Sequence, residues 1–327
     1  MTRAGTTAID LSLANIKRAA TVIDPVFLNS PQFVDEQLSA ALGKRTVVKV
    51  ETANPIRSFK GRGADFLLRN FDVRQKAVCA SAGNFGQAIA YAGRSRGIAV
   101  EVYVPTDANP LKIARMRSFG AKVIAIGSDF DDAKQHARQY VAQQSDCIFV
   151  EDGQDPAIAE GAGTIGIELL KAGPIDAVVV PLGDGALISG IAMWVKVQSP
   201  RTKIVGVCAE GAAAMEVSWR AGRAVSIDGA DTFADGIAVR VPVADSVTRV
   251  NFLVDDIVLV SDAQMLEAMQ IAASTLGLLL EPSGAAGLAA IRAHHFAGDQ
   301  IATILTGSNI HPDLIAKIVD SSKAFNR

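Results

Sequence analysis

Asn54-Pro55-Ile56-Arg57-Ser58-Phe59-Lys60-Gly61-Arg62-Gly63-Ala64 places one lysine where a helix should begin, just after a strand-like run at 46–51. Most lysines keep a solvated ammonium at the surface. This one stands in a different frame. To form an imine a lysine must lose its proton near neutral pH, and desolvation or a neighbouring cation promotes that loss. Phe59 can shed water, and Arg57 and Arg62 would supply positive charge. Residue types alone make Lys60 a candidate for such chemistry, and its weight depends on the company it keeps along the chain.

Working outward from that segment, short β-branched runs alternate with longer stretches of helical period. The strand-like runs are 46–51, 77–80, 99–104, 122–126, 177–181, 203–208, 257–260 and 302–305. Helical patterns fall at 61–69, 85–96, 110–119, 130–143, 158–171, 187–197, 263–276, 284–296 and 312–321. This alternation implies an α/β fold of parallel strands covered by helices on both faces. No repeat, low-complexity tract or long polar linker marks a domain boundary.

The 327 residues, 49% hydrophobic and 20% charged, are ample for a large buried core, and two domains are expected. A net charge of −2 offers no general attraction to nucleic acid or an anionic membrane, so a small molecule is the default partner. Cys79, Cys147 and Cys208 are isolated in or beside apolar runs and read as packing residues of a reducing cytoplasm. Arg3, Asp10, Lys17 and Arg18 interrupt the stretch a signal peptide would need. No later run approaches the roughly 18 apolar residues of a membrane span.

In open α/β sheets ligands bind beyond the carboxyl ends of the strands, so the junctions there are the place to look for a site. Ser81-Ala82-Gly83-Asn84-Phe85-Gly86-Gln87 follows the strand at 77–80 and opens a helix. It suits a carboxylate on exposed N–H groups, and equally an ordinary cap by Ser81 or Asn84. Gly183-Asp184-Gly185-Ala186-Leu187-Ile188-Ser189-Gly190 fits a phosphate cradle leading into a helix, or a tight turn with no ligand. Thr306-Gly307-Ser308-Asn309 adds hydroxyls at the last strand end.

Competing motifs fare worse. Gly161-Ala162-Gly163-Thr164-Ile165-Gly166 spells a dinucleotide fingerprint, but Asp155-Pro156-Ala157 before it is no strand. Pairing the Gly183–Gly190 loop with Glu210 as a ribose ligand fails on glycine spacing. His136, His294, His295 and His311 lie in helical or terminal segments without metal-ligand spacing, and no Gly-x-Ser-x-Gly elbow is present.

Taken together, the junctions resemble those of fold type II pyridoxal-phosphate enzymes, the tryptophan synthase β-like superfamily, and within it the serine/threonine dehydratase and serine racemase family. The ordered set is Asn54 to Ala64, Ser81 to Ala88, Thr232-Phe233-Ala234-Asp235-Gly236-Ile237-Ala238-Val239 and Glu281-Pro282-Ser283-Gly284-Ala285-Ala286. The resemblance runs from about Leu11 to the end. It implies two open twisted sheets, with 1–72 and 150–327 forming a large cofactor-binding domain and 73–149 a small one, assembled as a homodimer. It makes Lys60 the residue that binds pyridoxal phosphate and shuttles a proton, with Phe59 beside the ring. Asn84 would meet the ring hydroxyl. Gly183, Asp184, Gly185, Ala186 and Leu187 would hold the phosphate through main-chain N–H groups, Gly236 would lie on the cofactor's other side, and Thr306 would meet the pyridine nitrogen. Ser81, Ala82, Gly83 and Asn84 would take the substrate carboxylate.

The implied activity is dehydration and deamination of a small L-β-hydroxy amino acid, such as L-threonine or L-serine, to a 2-oxo acid and ammonia. A neutral hydroxyl at Thr306 leaves the ring nitrogen unprotonated and the electron sink weak, which favours β-elimination over transamination. β-Replacement of the cysteine synthase type is the rival, disfavoured by Gly86-Gln87 and Glu281-Pro282-Ser283. A cofactor-free amino-acid binding protein would need Lys60 to be structural. Several positions depart from the family pattern. Ala82 replaces the serine that serves racemases as a second base, Phe85 replaces a histidine, and Ile56-Arg57 replaces a small pair, which together point to dehydration and a shifted substrate choice. Asp184 and Ala186 interrupt the phosphate-loop glycines, so the Asp184 side chain is expected to turn away or meet a cation. Glu210, the Ala214 carbonyl and Glu216 fall where the family often holds Mg²⁺ or Ca²⁺, although solvated helix-face glutamates would look the same. The chain closes at Arg327, soon after Thr306, so no regulatory domain is expected.

Overall fold

The computed structural model describes residues 9–108 and 110–322. Two sheets carry the fold. The larger runs, in spatial order, β1 (Gln32–Val34), β2 (Arg45–Val50), β10 (Gln300–Leu305), β7 (Ala177–Pro181), β8 (Lys203–Ala209) and β9 (Asp256–Val260), and only β1 is antiparallel. The smaller runs β5 (Lys122–Ala125), β4 (Ala99–Val104), β3 (Lys76–Ala80) and β6 (Cys147–Phe149), all parallel. From Thr46 to Val50, β2 is buried at every residue, as a parallel strand covered on both faces should be.

The eight strands expected from the sequence are present to within two residues and the nine helices to within three. Two strands escaped notice, β1 and β6. Each has three residues, too few for any alternation to declare itself. Four helices were also missed: α1 (Leu13–Val22), α2 (Glu36–Leu42), α9 (Ala214–Ala221) and α10 (Ala244–Leu253). The Gly161–Gly166 motif lies inside α7 (Pro156–Leu169), where its glycines serve helix packing rather than a nucleotide. A Cβ on Gly161 would stand 2.6 Å from the Arg62 carbonyl of α3 (Lys60–Leu68), and one on Gly163 2.9 Å from the Gly190 carbonyl of α8 (Ala186–Gln198).

Those close approaches bring β2, α3 and α7 around a buried charge network. Arg62, fully buried, forks onto Glu51 through Nε and Nη2 at 2.9 and 2.8 Å and onto Glu168 through Nη1 and Nη2 at 2.7 and 2.9 Å. Lys49 adds a 2.6 Å ion pair to Glu168. Burial alone would raise the Glu168 carboxyl, but Arg62 and Lys49 outweigh it and hold the group at about 2. Removing Arg62 would leave buried Glu51 without its guanidinium and Glu168 with Lys49 alone, which is where buried ion pairs become costly. Arg62→Met should lower stability by roughly 3–5 kcal/mol in urea unfolding at pH 7. Because the folded pKa of Glu168 lies below its ordinary 4.5, its contribution is complete above that pH and is lost as pH falls toward 2. Glu168→Gln should therefore flatten that acid branch of the stability profile while lowering the plateau.

Candidate active site

The turn after β2 is built by Asn54. Its side chain accepts from Ile56 N at 3.1 Å and Ser58 N at 3.3 Å and donates to the Glu51 and Ser58 carbonyls at 2.9 and 3.1 Å. Arg57 sits in the left-handed region at φ 54°, and its carbonyl accepts from Ser308 N at 3.0 Å. Phe59 N donates to the Thr306 carbonyl at 3.1 Å, and Ser58 bridges to Gly307. The exits of β2 and β10 are thus laced together, and Lys60 begins α3 beside Thr306.

Lys60, Phe59, Ser81 to Asn84, Gly183 to Leu187, Gly236 and Thr306 all line one cavity of about 510 Å³, at the carboxyl ends of β2, β3, β7 and β10. Each junction that the sequence singled out reaches it. Lys60 Nζ lies 4.8 Å from the Phe59 ring centroid and is ion-paired with Asp152. The two arginines expected to bear on Lys60 have other surroundings. Arg62 is bound to Glu51 and Glu168, and Arg57 is exposed.

α4 (Asn84–Arg96) opens on the second junction. Ser81 Oγ accepts from Gly83 N at 3.2 Å and Gly86 N at 2.9 Å, so it caps this turn and still keeps a hydroxyl hydrogen for a ligand. Asn84 is clamped from both ends. Its Nδ2 donates to Glu281 Oε1 at 2.6 Å, and its Oδ1 accepts from Asn309 Nδ2 at 2.7 Å. Glu281 also accepts from Ser283 Oγ at 3.2 Å and Asn309 N at 3.0 Å. Burial, then the charge of Asp235, pushes its carboxyl upward.

The third junction has an uncapped helix start. α8 begins on Gly185, at φ 88°, and no side chain bonds its first-turn N–H groups, which have no acceptor within the helix. A Cβ on Gly183 would stand 2.8 Å from the Gly236 carbonyl, which explains the glycine and places the 235–237 turn against the cradle. At the fourth junction Thr306 Oγ1 donates to the Ser283 carbonyl at 3.3 Å, long for a hydroxyl and easily exchanged for a better acceptor. Asp184 belongs to the cavity lining, its Cβ packs against Gly153, and burial followed by the charge of Asp152 raises its carboxyl well above the ordinary range.

Several lining residues were not read from the sequence. Lys112, Lys134, Arg240, Asp131, Glu151, Asp152 and Asp235 pair as Lys112–Asp235, Lys134–Glu151, Arg240–Asp131 and Lys60–Asp152. A Cβ on Gly83 would lie 4.0 Å from Lys112 Nζ, which brings an ammonium to the edge of the second junction. These pairs join residues far apart in the chain, and no local pattern announces them. The expected cation ligands already have other surroundings. Glu210 is exposed, Glu216 pairs with Arg220, and the Ala214 carbonyl accepts from Ser218 Oγ at 2.6 Å. No group of three or more His, Cys, Asp or Glu among the described residues is placed to hold an ion. Cys79, Cys147 and Cys208 are buried, as expected.

Comparison with known proteins fits this geometry. Residues 25–307 match the family of pyridoxal-phosphate dependent enzymes, and the chain belongs to it. The chain is 32% identical to an L-threonine ammonia-lyase of Thermotoga maritima, over 95% of this chain and 78% of that protein. It is also 32% identical to an L-threo-3-hydroxyaspartate ammonia-lyase of a Pseudomonas species, over 94% and 98%. It spans only 55% of the biosynthetic L-threonine dehydratase of Pasteurella multocida. The structure of maize serine racemase superposes with a TM-score of 0.87 at 27% identity, covering 96% of this chain and 98% of that one. The cofactor of this family is pyridoxal phosphate, and the residues present fit it: a lysine, an uncapped helix start between glycines and a polar clamp share one cavity. Asn309→Ala would leave Asn84 Oδ1 without its donor. Loss of one such bond, about 1 kcal/mol, should weaken cofactor binding about fivefold in fluorescence titration of the apoenzyme, and loss of the Asn309 bond to the Ile56 carbonyl should lower the stability in urea by a similar amount.

Proposed function

We propose that the protein catalyses β-elimination of a small L-β-hydroxy amino acid, L-threonine or L-serine, giving a 2-oxo acid and ammonia. The observation that carries this reading is the convergence of Lys60, the uncapped start of α8 and the clamped Asn84 on one cavity. Bound pyridoxal phosphate supplies the electron sink for the bond broken at Cα. The protein residues do the rest. In this reading Lys60 holds the cofactor and its Nζ takes the Cα proton, with Asp152 beside it to stabilise the ammonium so formed. Main-chain N–H groups of Gly183, Asp184, Gly185, Ala186 and Leu187 hold the phosphate. Asn84, fixed in orientation by Glu281 and Asn309, meets the ring hydroxyl. Thr306 Oγ1 exchanges the Ser283 carbonyl for the ring nitrogen, and Phe59 and Gly236 line the ring.

Ser81, Ala82, Gly83 and Asn84 receive the substrate carboxylate, with Lys112 contributing charge from the loop's edge. Ala82 carries no titratable group, so the site has a proton acceptor at Lys60 and none at this position. That asymmetry favours elimination over racemisation. A second substrate reading has its own support. Lys112 can serve an acidic side chain, and the near full-length match to a 3-hydroxyaspartate ammonia-lyase agrees with it.

The reading also includes a division into 1–72 with 150–327 and a small domain 73–149. The membership of the two sheets supports it. A homodimer in the cytoplasm completes it, supported for the compartment by three free buried cysteines. A Mg²⁺ or Ca²⁺ on Glu210, the Ala214 carbonyl and Glu216 would require Glu216 to exchange Arg220 for the ion.

The decisive experiment is spectroscopic and kinetic together. The holoenzyme should show an absorption band that borohydride abolishes, with the label on Lys60, and should release 2-oxo acid from L-serine, L-threonine or L-threo-3-hydroxyaspartate. Lys60→Ala should lose both the band and at least about 10³-fold in rate. A band that survives in Lys60→Ala overturns the reading, and inactivity on every β-hydroxy amino acid turns it toward β-replacement.

A further inference from the structure

Asp184 interrupts the cradle between Gly183 and Gly185, an unfavourable place for an anion if the cradle takes a phosphate. The residue has little freedom to retreat. Its carbonyl accepts from Ser246 Oγ, and a Cβ on Gly153 would stand 2.5 Å from that carbonyl and 3.0 Å from the Asp184 Cβ. The charged groups around its carboxyl are Asp152 and Glu151 from the segment after β6, Lys60 from α3, and Lys134 from α6 (Phe130–Val141). Both ammonium groups are already engaged, Lys60 by Asp152 and Lys134 by Glu151. Among the described residues no cation lies within ion-pair distance of Asp184. Asp152 Oδ1 is itself buried without a hydrogen-bond partner, so the pocket already carries an uncompensated acceptor. Burial and Asp152 raise the Asp184 carboxyl in the protein before any ligand arrives, and a phosphate would raise it further.

We infer that Asp184 works as a neutral carboxylic acid whose O–H donates a hydrogen bond to the cofactor phosphate, so that loading the enzyme at alkaline pH takes up a proton at this side chain. The inference rests on the proposed phosphate cradle. It turns a residue that would repel the phosphate into a donor for it, and it links cofactor retention to pH. The sign follows from the neutral form being the binding form. Affinity is complete below the pKa of Asp184 in the apoenzyme and declines above it.

The test is titration of the apoenzyme with pyridoxal 5′-phosphate between pH 6 and 9, for wild type, Asp184→Asn and Asp184→Ala, read by cofactor absorbance and protein fluorescence. Asparagine is a neutral donor at every pH, so the ratio of wild type to Asp184→Asn cancels the titrations of Lys60 and of the phosphate. At pH 6 the two should bind within about threefold of each other and Asp184→Ala about tenfold more weakly. Above the Asp184 pKa the wild-type affinity should fall relative to Asp184→Asn by up to about tenfold per pH unit. Calorimetry at pH 8 in two buffers of different ionisation enthalpy should count more proton uptake for wild type than for Asp184→Asn. A wild-type to Asp184→Asn ratio that stays constant across the range overturns the inference. So does Asp184→Ala binding as tightly as Asp184→Asn at pH 6, which would leave the proton shared with Asp152 instead. Failure of all three proteins to bind the cofactor overturns the cradle as well, whereas normal binding with parallel pH profiles overturns only the role of Asp184.

Discussion

The site depends on the lacing of two strand exits. β2 and β10 are parallel neighbours, and their pairing continues past the strand ends through Glu51 N to the Leu305 carbonyl, Phe59 N to the Thr306 carbonyl and Ser308 N to the Arg57 carbonyl. Glu281 N then donates to the Gly307 carbonyl, and Asn309 Nδ2 reaches both Ile56 O and Asn84 Oδ1. Lys60, Thr306 and Glu281 are therefore set by one continuous stretch of backbone pairing, and Asn84 is fastened to it through the side chains of Glu281 and Asn309. Arg57 at positive φ is the strained residue in that stretch, held by the bonds on either side of it.

This arrangement explains what was legible in the sequence. The strands of a doubly covered parallel sheet are continuous apolar runs, so 177–181 and 203–208 stood out on hydropathy alone. The turns that follow them need residues dictated by backbone geometry. Gly183 must be bare because the Gly236 carbonyl crowds it, and Gly185 because its φ is positive. Such requirements are local and leave a local mark. Lys60, Asn84 and Thr306 were found through the junctions they occupy.

What the sequence hid is the charge pairing. Lys60 was expected to lean on Arg57 and Arg62, three residues before it and two after it, but Arg62 points into the network with Glu51 and Glu168. The partner of Lys60 is Asp152, 92 residues distant. Lys112–Asp235 and Arg240–Asp131 join positions more than 100 residues apart. A pairing between distant loops depends on how two sheets are mounted against each other, and neither composition nor periodicity carries that information. The expected cation site shows the converse. Glu216 and Arg220 are one helical turn apart, so a local ion pair competes for the very carboxylate that the resemblance assigned to a metal.

The paired charges give the cavity its chemical character. Lys60, Lys112, Lys134 and Arg240 face Asp129, Asp131, Glu151, Asp152, Asp184, Asp235 and Glu281, so acids outnumber bases in a pocket whose expected occupants are a phosphate and a carboxylate. A site so loaded can accept further anions only by neutralising some of its own carboxyl groups or by moving them out of the way. The two whose carboxyls burial pushes upward are Asp184, in the turn before α8, and Glu281, which is bonded to Asn84. The acid Asp235, by contrast, is mostly exposed and can yield Lys112 to a substrate carboxylate at little desolvation cost. Buried acids are thus placed where they can hold a proton, and an exposed acid where it can be displaced. On the proposed assignment of the cavity, its cofactor end would respond to pH and its substrate end to the charge of the incoming amino acid.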